Sequence, residues 1–203
     1  GKWAKNWEFQ ALLKARPAAG DRELGQAFCD MVSPLVWEAA QRPGFLPDVR
    51  AMRNRVISLI PAKEADREIK LGVGGLRDTE FTVQLLQLVH GRGDERVRAR
   101  GTFEALRALV AFGYIGRDDG ADMARAYRVQ RVLEHRVQLR RLRRTHLVPD
   151  DEPGWVHLAR TTGRTPDEVR DMWRGSTRAV EKLQQRIFFS PLLDAVSAIP
   201  TAE

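Results

Sequence analysis

IKLGVGGLRDTEFTVQLLQLVHGR, residues 69–92, is the stretch whose reading decides the fold class. Phe81, Leu85, Leu88 and Val89 recur at the three-to-four-residue spacing of a helix face, and Gly91 stands where such a helix would stop. Immediately upstream, Gly74-Gly75 opens backbone conformations closed to other residues. The tetrad Gly72-Val73-Gly74-Gly75 looks like half a dinucleotide-binding loop, but no strand precedes it and no third glycine follows at the required place. The stretch therefore predicts a loop that opens into a helix. Arg77, Asp78 and Glu80 fall in the first turn of that helix, where unpaired N–H groups and the positive end of the dipole attract anions. Physical chemistry leaves two readings open. The two acids can complement the dipole while Arg77 makes a structural ion pair, or Arg77 can face a phosphate.

On the N-terminal side, Trp3, Trp7 and Ala11 recur one turn apart with Leu12 beside them, and Pro17 is expected to end this first helix. Lys14 and Arg16 fall at its end, where cations complement the dipole. Asp21 is placed to cap a second helix whose expected apolar face is Leu24, Phe28, Met31 and Leu35, with a bend at Ser33-Pro34. Pro47 suits the first turn of a third helix (Val49, Met52, Val56, Ile60) that Pro61 stops. Residues 61–75, PAKEADREIKLGVGG, form a charged, glycine-ended connection.

On the C-terminal side, Thr102 opens a helix apolar at Leu106, Leu109 and Val110. Asp118 or Asp119 opens a long one with Met123, Tyr127, Gln130, Leu133 and Val137 along one side. Pro149-Asp150-Asp151-Glu152-Pro153-Gly154 reads as a polar turn and an internal boundary, dividing a bundle over 1–150 from C-terminal helices over 151–203. Thr165-Pro166-Asp167-Glu168 is a capping box with proline at the first helical position. The helix it opens keeps Val169, Trp173, Val180, Leu183 and Ile187 on one stripe until Pro191. No alternation of apolar and polar residues runs long enough to build a sheet. The expected fold is all-α, a helical bundle of about six to eight helices.

Composition bounds the function. With 203 residues and 43% hydrophobic content the chain can bury a sizeable core. Its single cysteine, Cys29, in an apolar helical setting, excludes a disulfide framework and fits a reducing compartment, so the cytoplasm is the expected location. No apolar run approaches the roughly 18–20 residues that span a bilayer. Thirty-four basic residues, mostly arginine, against 27 acidic ones give a net charge of +7, which favours anionic partners. The surplus concentrates in residues 124–144, with arginine at 125, 128, 131, 136, 140, 141, 143 and 144 against Glu134 alone. A solvated helix face explains this, and phosphate or nucleic-acid contact is the rival reading. Nucleic acid is the less favoured partner, because the few aromatic residues sit at apolar helical positions and leave no stacking surface. His90, His135, His146 and His157 lack the spacing of a zinc site, and no nucleophilic triad or carboxylate set stands out.

Two stretches resemble a known family. WEFQALLKARPAAGD, residues 7–21, and IKLGVGGLRDTEFTVQLLQLVHGR, residues 69–92, are similar to signature segments of glutamine synthetase adenylyltransferases. The Gly-Gly-Leu-Arg-Asp core is also found in the sister family that uridylylates the signalling protein PII, but the first stretch and the EFTVQLLQLVHG continuation favour the adenylyltransferases. The likeness runs through most of the chain and fades after about residue 150. It implies the nucleotidyltransferase-associated helical domain of the N-terminal, AMP-removing module, joined to an upstream α/β catalytic domain and a downstream second module. The chain opens on Gly1-Lys2-Trp3 without an initiator methionine and is read as a piece of such a protein. The family's Gly-Ser-x-Asp-x-Asp metal motif is missing from this sequence, so no catalytic or metal residue is assigned and the piece alone is expected to be inactive. The resemblance implies Mg2+ and ATP, ADP or phosphate as cofactors of the whole enzyme, and glutamine synthetase and PII as its partners. It also raises Lys14, Arg16, Arg77, Asp78 and Glu80 as candidates for one polar cluster, contacting nucleotide phosphate or the catalytic domain. The competing view of the Gly-Gly-Leu-Arg-Asp turn is an architectural latch between helices.

Overall fold

A computed structural model describes residues 5–140, 142 and 144–189. Among them the chain forms eight α-helices: α1 (Asn6–Leu12), α2 (Arg22–Trp37), α3 (Phe45–Ser58), α4 (Leu76–His90), α5 (Thr102–Ala111), α6 (Arg117–Leu139), α7 (Glu152–Thr162) and α8 (Pro166–Ile187). No strand is present among the described residues, and a lone antiparallel bridge joins Glu68 to Leu147. The fold is the all-α helical bundle expected from the periodicity. None of the described helices is long and apolar enough to cross a membrane.

The chain gathers into two compact units. The described part of the first comprises residues 5–54, 82–116 and Phe189; the second is Arg55–Phe81 with Arg117–Phe188. The chain passes between them within α3 and α4.

In the first unit, Asp21 caps α2 as expected, accepting from the backbone N–H groups of Glu23 and Leu24 at 2.9 and 3.0 Å. The buried faces of α1 and α2 differ from the expected ones. Helix α1 buries Asn6, Phe9 and Gln10, followed by Leu13, whereas Trp7 is 43% exposed and Ala11 is exposed. Trp3 lies outside the described residues. The two buried amides explain the choice. Asn6 Nδ2 donates to Asp48 Oδ2 at 2.8 Å, and Gln10 Nε2 to Gln84 Oε1 at 3.0 Å. Turning these amides inward satisfies them and turns Trp7 out. Helix α1 also stops at Leu12, well before Pro17, because Lys14 N and Ala15 N bond three residues back and tighten the last turn.

Helix α2 buries Cys29, Val32 and Val36, leaving Leu24, Phe28, Met31 and Leu35 between 40 and 70% exposed. The helix carries two apolar rows, and periodicity alone cannot say which one meets a neighbour. It continues through Pro34 to Trp37. Helix α5 begins at Thr102 as expected and buries Ala105, Leu106 and Leu109. In the loop before it, Asp94 accepts from Arg96 N, Nε and NH2 and from Tyr114 Oη, and the Arg96 guanidinium holds its carboxyl far below the usual carboxylate range.

In the second unit, α6 buries the whole expected stripe, Met123, Tyr127, Gln130, Leu133 and Val137. Thr165 and Glu168 form the expected capping box, with Thr165 N donating to Glu168 Oε2 at 2.8 Å and Glu168 N to Thr165 Oγ1 at 3.3 Å. Helix α8 then buries Val169, Trp173, Val180 and Leu183. Helix α7 replaces part of the expected turn. Asp151 caps it through Gly154 N at 3.0 Å, Pro153 sits in its first turn, where its missing N–H is harmless, and Gly163 closes it at φ +66°. The polar stretch 149–154 thus lies inside this unit. Its apolar core joins Ile69, Leu133, Val137, Val148, Trp155, Leu158, Val169 and Trp173.

Candidate functional site

The glycine loop and the start of α4 belong to the second unit and are held there by α6 and α8. Ile69 N donates to His146 O at 2.8 Å and Val148 N to Arg67 O at 2.9 Å, which clamps the loop against the segment after α6. The loop then folds back on the helix it opens. Leu76 N and Arg77 N donate to Ile69 O and Lys70 O at 3.0 and 2.9 Å, and Asp78 N to Gly75 O at 3.0 Å. The N–H groups expected to wait for an anion are therefore taken by the chain itself.

Gly74 turns the loop at φ +69°, in contact with α8: a Cβ there would lie 2.3 Å from Thr177 O. Its carbonyl accepts from Gln130 Nε2 at 2.7 Å, and its N–H donates to Asp78 Oδ2 at 2.7 Å. Asp78 is fully buried, and its other oxygen accepts from Gln184 Nε2 of α8. A buried carboxylate held by such donors stands where a bound anion would complement the helix dipole.

Glu80 is 8% exposed and accepts from Tyr127 Oη at 3.0 Å and from Arg77 NH1 at 3.1 Å. The Arg77 guanidinium also lies over the Phe81 ring, 5.6 Å from its centroid, with its side chain 35% exposed. Arg77 and Glu80 thus join Tyr127 in one set of hydrogen bonds, and Asp78 joins Gly74, Gln130 and Gln184 in another. Lys14 and Arg16 belong to the first unit and lie just past the end of α1. Lys14 Nζ donates to Thr102 Oγ1 at 3.2 Å, and Arg16 is exposed beside Pro17.

Sequence reasoning missed a second polar hub in this unit. Glu134, 2% exposed on α6, accepts from Lys70 Nζ at 3.2 Å and Arg131 NH1 at 2.6 Å. His146 Nδ1 lies 3.8 Å from Glu134 Oε1, too far for a hydrogen bond, and is buried without a partner among the described residues. The one signal available was the isolated acid in an arginine-rich helix. Burial, aided by Lys70, pushes the His146 pKa down. A histidine depressed in the folded state binds its proton more readily once unfolded, so stability should be intact above pH ~6.5 and fall as the pH drops through that value. Urea midpoints measured between pH 8 and 5 should decline, with a shallower decline for His146→Gln; equal slopes for both proteins would contradict this assignment. Among the described residues no group of three or more His, Cys, Asp or Glu side chains is placed to hold a metal.

A family model described as GlnD PII-uridylyltransferase matches residues 50–190. The chain is 61% identical, over its whole length, to the bifunctional glutamine synthetase adenylyltransferase/adenylyl-removing enzyme of Cutibacterium acnes, of which it covers 21%. It is 53% identical to the protein of the same name from Streptomyces coelicolor, with 100% of the chain and 20% of that protein aligned. For the one from Mycolicibacterium smegmatis the identity is 54%, over 96% of the chain and 20% of that protein. The chain thus spans about a fifth of the length of the curated relatives it matches. A matching family model over most of the chain and this level of identity place the chain in the GlnD PII-uridylyltransferase family, among sequences similar to the bifunctional glutamine synthetase adenylyltransferase/adenylyl-removing enzymes.

Proposed function

We propose that this chain is the helical part of the AMP-removing module of a bifunctional enzyme that adenylylates glutamine synthetase and strips the AMP off by phosphorolysis. The observation that carries the reading is 61% identity, across the whole chain, to a protein named for both activities. In this reading the helices support a separate α/β catalytic domain, which supplies the metal carboxylates. Mg2+ with ATP, ADP or phosphate serves the whole cytoplasmic enzyme, glutamine synthetase is its substrate, and PII is a regulatory partner. Metal at the catalytic domain would offset charge on the transferred phosphoryl group, and the present helices would position that domain.

Arg77, Lys14 and Arg16 are proposed as contacts to nucleotide phosphate or to the catalytic domain. Arg77 fits this role because its guanidinium is half-buried, oriented by Glu80 and Phe81, and still open to solvent on one side. Asp78 and Glu80 are positioning residues in this scheme. In the full-length enzyme, Arg77→Ala should slow phosphate-dependent AMP release from adenylylated glutamine synthetase by on the order of tenfold or more, with thermal stability nearly unchanged. Undiminished AMP release, or an unfolded variant, would rule out the contact role. The chain by itself should release no AMP, and release by the purified 203-residue chain would refute the assignment to a supporting part.

A further inference from the structure

The arginine-rich run that ends α6 has a use that the proposed function does not supply. Upstream in the helix, Arg125 pairs with Asp122 and Arg131 with Glu134. Arg136 and Arg140, one turn apart, form no ion pair or side-chain hydrogen bond among the described residues. Like charges at this spacing repel each other weakly, and an anion held between the two guanidinium groups would turn that repulsion into attraction. Both line a cavity of about 320 Å³ within the second unit, with Arg67, Thr145, Gly154 and His157.

The acids of this cavity are already engaged. Asp150 is paired with Arg67 at 2.8 Å, and Asp151 accepts from Gly154 N as the cap of α7. Arg140 stands against the first turn of α7, with NH1 2.9 Å from where a Gly154 Cβ would be. Glycine at that position leaves the guanidinium room. Thr145 Oγ1 accepts from Leu147 N at 3.3 Å, so its own proton is available to a ligand. Arginine forks bind phosphoryl oxygens in pairs, and the cavity is about the size of the smallest ligand sites.

We propose that this cavity binds a phosphoryl dianion, held by Arg136 and Arg140 with Thr145 as a further donor. The phosphoryl group has two sources, free orthophosphate or the phosphate of a nucleotide. A neighbouring cavity of about 720 Å³ shares Arg67, Val148, Pro149 and Asp150 as its wall, which leaves space beside the phosphoryl group for the rest of a nucleotide.

The test is equilibrium dialysis of labelled orthophosphate and of labelled AMP with the full-length protein containing this sequence, in EDTA so that metal-dependent phosphate sites are silent. The expected result is a metal-independent site that Arg136→Gln/Arg140→Gln weakens at least tenfold and Arg125→Ala leaves intact. Circular dichroism should show the double variant folded, since neither arginine forms an ion pair or side-chain hydrogen bond among the described residues. AMP binding at least tenfold tighter than orthophosphate identifies the nucleotide as the source, and equal or weaker AMP binding identifies the free anion. Absence of metal-independent binding of both ligands, or a double variant that binds as the parent does, overturns the proposal.

Discussion

Gly74→Ala should destabilise the second unit by about 2–4 kcal/mol, the sum of a left-handed backbone strain near 1 kcal/mol and a core clash of 1–3 kcal/mol. Gly74 has φ +69°, and the added methyl would meet the Thr177 carbonyl oxygen of α8 at 2.3 Å and the Thr177 Cγ2 at 2.9 Å. The first obstacle is backbone, so no rotamer change relieves it. Gly163 supplies the internal comparison: it lies in the same unit at φ +66° with nothing within 4 Å of an added Cβ. Gly163→Ala should therefore cost only the conformational part, about 1 kcal/mol. Urea unfolding of both variants separates the two contributions. If Gly74→Ala loses no more stability than Gly163→Ala, the close approach of loop and helix is not what the structure depends on.

Asp78→Ala should cost about 3 kcal/mol, because it strands two donors in a fully buried place. The Gly74 N–H and the Gln184 amide both lose their acceptor. Asp78→Asn should be milder, near 1 kcal/mol, since the Gln184 amide can turn its oxygen toward the new NH2 while the remaining oxygen keeps the Gly74 bond. The order Ala worse than Asn, read from thermal or urea midpoints, is the signature of an internal anchor. An Asp78→Ala variant of parental stability would mean that the carboxylate serves something outside the unit. Together with Gly74→Ala, this pair tests whether the Gly-Gly-Leu-Arg-Asp turn latches the loop to α8.

The turn shows how far sequence reasoning reaches. Its glycines and the helix after them were legible because they are local: turn chemistry and helical spacing act over a few residues. The helix dipole left open whether an acid of the chain or a bound phosphate would sit at the start of α4. Asp78 occupies that place because Gln184, 106 positions away, approaches it in the folded chain. Arg77 keeps a solvent-facing side, so its role as a contact stays with the proposal and its kinetic test.

Local chemistry likewise determined the caps at Asp21 and Thr165, the all-α class, and every buried position named on α6, from Met123 to Val137. On α6 the polar opposite face is arginine-rich, so one row alone was apolar enough to turn inward. Helix α2 offered two rows, Leu24-Phe28-Met31-Leu35 and Cys29-Val32-Val36, and only tertiary packing chose the second. Helix α1 went against its own periodicity because Asn6 and Gln10 found partners in Asp48 and Gln84. Helix α7 was hidden by Pro153-Gly154, a pair that signals a turn in isolation but is compatible with a helix start once Asp151 caps it. Spacing along the chain specifies which residues can share a face. Which face is buried, and which polar group is matched there, depends on partners that only the folded chain brings within hydrogen-bonding distance.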